Sequence, residues 1–419
     1  MEKQRILSID VFRGLTMILM TIVNNPGSWD HIYSPLAHAE WHGCTPTDLV
    51  FPFFVFAMGM AIPFSTNENS GMDTKVFSKI FIRALRIFNI GLFLNFFSKI
   101  TFEGIEGPYL MIVRMFFTIL IGWALLGNFT SKTKLLLALS IFITLITLAY
   151  SGIENFASLR ILGVLQRLGL VYFFAILVFL MFKFKTQVII TILILLGYWA
   201  AMALIPVPGF GTPNFEKGTN LAAWIDNLLL PGHLWASAKT WDPEGILSTF
   251  PAIVTALIGI WTGKLVKSNI QNLNRWLFIY GISFLIIGKI WNFSFPINKA
   301  LWTSSYVVYS AGWAMLVFGL INSLIVNGKT SPIVKFLIMW GVNPMIVFYG
   351  SGIIPRALNM IRVPSESKDI ALLTYLYEKG LVPIFSNPLN SSLSYALIYV
   401  AFWSLILNIL EKRKLVFKV

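Results

Sequence analysis

The chain has 419 residues, of which 57% are hydrophobic and only 12% charged, and its mean hydropathy is +0.75. Soluble domains carry roughly 25% charged residues, so this composition excludes an ordinary soluble enzyme and describes a polytopic membrane protein. The formal net charge of +14 fits the positive-inside bias of that class better than a nucleic-acid footprint. One cysteine, Cys44, excludes an intramolecular disulfide and any cysteine-based metal site.

Residues 1–5 (MEKQR) run straight into an apolar stretch with no small-residue cleavage site, which predicts a retained helix rather than a signal peptide. Apolar runs near the length of a bilayer core predict spans at 6–24, 47–65, 77–98, 109–128, 134–151, 161–182, 187–205, 245–266, 275–293, 303–326, 334–352 and 394–411. The expected fold class is therefore all-α, a polytopic transmembrane helical bundle of about 12 spans, forming one integral-membrane domain over 1–419. With the N-terminus inside, Lys75, Lys79, Arg83, Lys132, Lys134, Lys183, Lys185, Lys264, Lys267, Arg275, Lys329 and Lys335 share one side with the tail EKRK. Both termini are thus expected in the cytoplasm.

Long outer loops in a compact membrane domain are more often functional than idle. The first, at 25–46, holds His31, His38 and His42, three of the four histidines in the chain. Around them lie Asn24, Asn25, Asp30, Glu40, Asp48, Trp29, Trp41 and Tyr33. A zinc site from the three histidines has weak spacing support and no H-E-x-x-H pattern, so no metal is expected. G-x-S-x-G, Walker and G-x-G-x-x-G motifs are likewise missing from the sequence. The second loop, 206–244, leaves its helix through PVPGFG and ends in WDPEG. There Asp242 can cap the next helix, with Pro243 first and Glu244 in the first turn; a substrate role for Asp242 and Glu244 is equally open. The third loop, 353–393, carries scattered charge and no usable motif.

Charges inside spans are costly, at least about 2.5–3.5 kcal/mol on insertion scales, and so mark pairs or functional groups. Asp10 and Arg13, one turn apart, read as a neutralising pair or as an anion site facing the cytoplasm. Arg13 lies about 16 Å below Asn24 along one helix. Gln166 and Arg167 sit in the outer third of the sixth span, where they can pair with Asp48. Arg114 can snorkel.

SIDVFRG, then VN, then HAEWHGCTPTDLVFPFFVFAMG resembles the heparan-α-glucosaminide N-acetyltransferase family of transmembrane acyltransferases, bacterial members included. RILGVLQRLGLVYF, LIPVPG, WDPEGILST, NKALWTSSYV and WGVNPMIVFYG resemble further family blocks in the same order, so the resemblance covers most of the chain. It implies acetyl transfer from cytoplasmic acetyl-CoA to an amino sugar, or another glycan acceptor, across the membrane. Its catalytic histidine falls on His38 and its active-site asparagine on Asn24. The resemblance also implies a homodimer and, for a bacterial member, the inner membrane. Relative to the lysosomal form, 101–158 reads as an added helical hairpin, the N-terminal lumenal domain is missing, and the asparagine-to-histidine connection differs in length.

The residues fit that chemistry. An anionic nucleotide cannot cross the bilayer unaided, and a basic inner mouth of Arg13, Arg83, Arg86 and Lys264, with Gln166 and Arg167 further out, can hold the donor. His38 suits proton transfer near neutral pH, or transient acetylation. Asn24 can donate to the developing oxyanion, and Asp48 can orient the imidazole or cap the second span. Trp29, Trp41 and Trp241 can stack on a sugar ring. Two alternatives remain: a transporter or flippase for sugars or lipid-linked intermediates, with Asp10, Arg13 and Arg167 along its path, and an O-acyltransferase acting on a cell-envelope glycan.

Overall fold

A computed structural model describes residues 7–66, 71–325, 331–364 and 369–417. The N-terminal MEKQR and Lys329, used above to orient the chain, lie outside the described residues. Helices account for nearly all regular structure: α1 Leu7–Asn24, α2 Val50–Ser65, α3 Thr74–Phe96, α4 Gly107–Leu126, α5 Ser131–Ala149, α6 Val164–Met181 and α7 Phe184–Leu204. They continue as α8 Leu221–Leu229, α9 Ile246–Lys267, α10 Leu273–Trp291, α11 Ser304–Ile325, α12 Pro332–Val342, α13 Pro344–Leu358, α14 Leu372–Tyr375 and α15 Pro388–Lys412. One two-stranded antiparallel pair, Arg362–Val363 with Ile370–Ala371, sits in the last outer loop.

Eleven helices among the described residues are long and apolar enough to cross a membrane, or up to twelve when the bent pair α12–α13 is counted as one span. The protein is an all-α polytopic bundle, as its apolar runs predict. The eleventh predicted span is not straight, however. It bends by 72° between α12 and α13, because Pro344 has no N–H to donate and its ring drives the preceding residue out of the helical region. Asn343 accordingly sits at φ −118°, ψ 47°. The bend is tied down: Arg13 donates to Gly341 O, and the Asn343 side chain exchanges hydrogen bonds with Leu415 O (3.2 Å) and Phe417 N (2.9 Å).

Helices α2 and α9 form the inner pair, each with 78% of its span window buried, against 17% for α5 and α10 at the periphery. Glycine permits the close approach. A Cβ on Gly59 would lie 2.2 Å from Ala256 O, and one on Gly259 2.3 Å from Phe56 O. Small residues at such crossings let backbones meet where lipid offers no hydrophobic driving force. Helix α1 docks on α12 in the same way, since a Cβ on Gly14 would fall 1.8 Å from Leu337 O.

The α4–α5 hairpin is fastened to α3 by buried polar groups. Arg86 donates to Leu125 O at the end of α4, and Asn89 donates to Ala138 O in α5 at 2.7 Å. Arg114 does not snorkel; its guanidinium closes the 97–100 turn by donating to Ser98 O and Ile100 O.

Candidate active site at the first outer loop

The loop after α1 is built before it is functional. Gly27 N donates to Ser392 O at the head of α15 (3.1 Å), and Gly43 N to Ile297 O in the α10–α11 connection (2.7 Å). Thr47 Oγ1 reaches back to Pro35 O (3.1 Å) and Thr45 Oγ1 to Ala37 O (2.7 Å). These ties bring His38 over the start of α2.

Asp48 is 2% exposed and collects the loop around one carboxylate. Its Oδ1 lies 2.6 Å from His38 Nδ1. Its Oδ2 accepts from Ala39 N (3.1 Å), Thr45 N (3.0 Å) and Thr45 Oγ1 (3.1 Å). Tyr306 donates to its backbone oxygen from α11. Helix α2 begins with no side-chain cap, so the carboxylate orients the loop and the imidazole rather than capping the helix. With Asp48 ionised, Nδ1 carries the proton and Nε2 is left as the acceptor.

Beside the imidazole stands Lys299, a residue absent from the predicted site. Its Nζ lies 3.4 Å from His38 Nδ1 and 3.3 Å from Nε2. Burial pulls this ammonium below its ordinary pKa, while Glu244, Asp48 and Cys44 work to keep it charged. The Cys44 thiol is pushed up to about 12 by burial and by Asp48, so it is not a ready nucleophile.

The second loop supplies a wall of charge and aromatic rings. Arg160, a residue outside the predicted site, takes Asp242 in a fork (Nε–Oδ2 2.8 Å, Nη2–Oδ1 2.5 Å) and also holds Glu244. Burial disfavours the Arg160 charge, but Glu244 and Asp242 outweigh it and raise its pKa. Of the two readings open for Asp242, capping holds only for the turn before α9, where its Oδ1 accepts from Glu244 N at 2.9 Å. The helix itself starts at Ile246, and Asp226 accepts from that N–H at 2.8 Å.

Trp41 and Trp241 do meet, edge to face at 5.2 Å, with Trp235 5.6 Å further along. Lys217 Nζ lies 5.8 Å from the centroids of both Trp41 and Trp241. Trp29 is outside that cluster and 67% exposed. Asn24 ends α1 with an exposed side chain.

The expected pairing of Gln166 and Arg167 with Asp48 is not present. Gln166 donates to Ile161 O at 3.0 Å. Arg167, fully buried, donates to Gly245 O (3.1 Å) and to Ser248, and stacks 5.1 Å over the Trp302 ring. Both side chains leave the head of α6 toward other helices, while the backbone of its own loop satisfies Asp48. Two nitrogens of Arg167, Nε and Nη1, have no partner among the described residues. At the inner half, Arg13 pairs with Asp10 at 2.7 Å, Arg83 lies 4.8 Å over Tyr172, and Lys264 lies 5.9 Å from the Phe179 ring.

The other two loop histidines have separate partners. His42 sits 3.9 Å from Glu216 and 3.4 Å from Asn298 Nδ2. It also borders a cavity of about 370 Å3 lined by Cys44, Lys289, Asn292 and Tyr309, while His31 lies beside Tyr33 and α15. No group of three or more His, Cys, Asp or Glu side chains among the described residues is arranged to hold a metal.

Comparison with known proteins bears on this arrangement. The family model described as heparan-alpha-glucosaminide N-acetyltransferase, catalytic, matches residues 5–106, the stretch that carries α1, the histidine loop, α2 and α3. The human heparan-alpha-glucosaminide N-acetyltransferase is 28% identical over 406 residues, covering 83% of this chain and 52% of its own length. The mouse protein of the same name is 28% identical, covering 83% of this chain and 53% of its own. The chain is thus similar, at this level, to N-acetyltransferases of that name. It spans about half the length of the curated relatives it matches. Four of the blocks that carry the resemblance meet here: the histidine loop, the head of α6, WDPEG before α9, and NKALW before α11.

Proposed function

We propose that the protein is a transmembrane acetyltransferase that moves an acetyl group from acetyl-CoA, bound from the cytoplasmic side, to the amino group of a glucosamine-type sugar on the opposite side. The observation that carries the reading is the His38–Asp48 pair, a half-exposed imidazole fixed at 2.6 Å by a buried carboxylate, inside the stretch that matches the family's catalytic model.

In this reading Nε2 of His38 takes a proton from the sugar amine as its nitrogen attacks the thioester carbonyl. The C–N bond forms, the C–S bond breaks, and the CoA thiolate leaves and is reprotonated. Asp48 keeps Nδ1 protonated, so that Nε2 is always the base. Asn24 donates to the carbonyl oxygen as charge develops on it. Arg13, Arg83, Arg86 and Lys264 face the anionic end of the donor. Arg167, with two N–H groups lacking partners, supplies a polar contact deeper in the bundle. Trp41 and Trp241 give the acceptor a stacking face, with Glu244 close by. A bacterial inner membrane and cytoplasmic termini complete the proposal.

The bend between α12 and α13 does not argue for a transporter. Broken helices in transporters line a substrate path, whereas this one is closed by Arg13 and by the C-terminal tail. The deciding experiment is release of CoA thiol from acetyl-CoA by the purified protein across a panel of acceptors. Release that depends on an amino sugar and vanishes in His38→Ala supports the reading. Release with hydroxyl acceptors alone would make the protein an O-acyltransferase, and none with any acceptor would refute transfer.

A further inference from the structure

Lys299 reaches His38 because hydrogen bonds fix its loop against the histidine loop. Asn298, fully buried, accepts from Leu301 N (2.9 Å) and donates to Trp41 O in the histidine loop (2.9 Å). Thr303 Oγ1 donates to Pro296 O (2.9 Å), and Trp302 turns the chain at φ 50°. Gly43 N reaches Ile297 O from the other loop at 2.7 Å. The two loops are thus laced together at the two residues just before Lys299.

The ammonium sits within 3.4 Å of both ring nitrogens, while Asp48 holds Nδ1 at 2.6 Å. Nδ1 therefore points its proton at the carboxylate, and the lone pair left for Lys299 is on Nε2. A carboxylate alone beside an imidazole favours imidazolium, which is useless as a base; a cation in contact with the ring nitrogens counters it. The charged groups around Lys299 come from three elements. They are Asp48 at the head of α2, Glu244 before α9, and Arg167 in α6.

We propose that Lys299 is a positioning residue for the reaction, holding His38 in its neutral, Nε2-accepting form until the acceptor amine displaces the ammonium toward Glu244. This rests on His38 being the base in the proposed transfer. During turnover the amine proton passes to Nε2 as the C–N bond forms and the C–S bond breaks. The neighbouring ammonium then opposes the imidazolium, so that proton moves on to the departing thiolate and His38 returns to its neutral state. Atoms and charge balance with acetyl-CoA and the amine as the only reactants.

The test uses the full-length protein in detergent, as wild type, Lys299→Met and Lys299→Arg, with folding followed by gel filtration. Diethylpyrocarbonate acylates neutral imidazole, so His38 modification mapped by mass spectrometry across pH reports its neutral fraction without any substrate. In Lys299→Met the half-reactive pH should rise by about one unit or more, since a cation at contact distance has been removed. Lys299→Arg should restore the wild-type value. The acid limb of kcat/KM should move upward with it, so that activity on that limb is about tenfold low and recovers as pH rises. An unmoved half-reactive pH or acid limb in folded Lys299→Met would overturn the proposal, and Lys299→Gln gives the same comparison if Met does not fold. If no form transfers acetyl to an amino sugar while His38 reactivity still shifts, the transfer reading falls and the lysine–histidine coupling stands.

Discussion

Asp48→Asn isolates what the buried carboxylate contributes to His38. An asparagine of the same shape keeps one acceptor oxygen, which can still take Ala39 N and Thr45 N, the backbone donors now 3.1 and 3.0 Å from Oδ2. Its NH2 then faces His38 Nδ1, where Oδ1 had been at 2.6 Å. A donor there forces Nδ1 to accept, so the ring proton moves to Nε2 and the base is lost. The corresponding change behind a triad histidine costs about 10^4 in kcat, or about 5.4 kcal/mol of transition-state stabilisation. Folding should suffer far less, by about 1–2 kcal/mol, because charge-assisted hydrogen bonds become neutral ones. The assay is CoA thiol release at saturating acetyl-CoA and amino sugar, with the melting temperature measured on the same sample. KM values should stay within about threefold, since ground-state contacts remain. A folded Asp48→Asn enzyme retaining more than about a tenth of wild-type kcat would refute the orienting role and leave Asp48 as a loop brace.

Arg13→Ala should raise the apparent KM for acetyl-CoA with much of kcat surviving, whereas Asn24→Ala should lower kcat by roughly 10²–10³ as a lost oxyanion donor does. Equal effects on both parameters in both variants would show that α1 does not separate donor binding from chemistry. Burial lifts the Asp226 carboxyl to about 7. Between roughly pH 4 and 7 the folded protein holds a proton that the unfolded chain has lost, so stability falls as pH rises through that window. Asp226→Asn, which still accepts from Ile246 N, should flatten that fall; an unchanged pH–stability curve would count against it. For sidedness, a cysteine at Lys217 on a Cys44→Ser background should react with an impermeant thiol reagent from outside intact cells, and labelling only after lysis would invert the topology.

What could be read from sequence, and what could not, follows from the range of the interactions. Apolar runs are local, and eleven of the twelve crossings follow directly from them. The bend between α12 and α13 was also written locally, as Asn343-Pro344, but a hydropathy run averages over it. The His38–Asp48 contact spans ten positions within one loop, so both partners lie within one polar stretch of the sequence. Lys299 lies 261 positions from His38, and Arg160 lies 82 from Asp242. A single lysine or arginine near a span end looks like an interfacial anchor whatever it does. Capping is only half legible for the same reason. Asp242 accepts from Glu244 N as a cap would, yet its carboxylate also answers Arg160 and the helix begins later, at Ile246. The N–H of Ile246 is taken by Asp226, twenty positions away, from the short helix that packs beside α9. In a bundle whose outer loops fold over one another, the residue types at the site are legible in sequence, but each partner is chosen by packing.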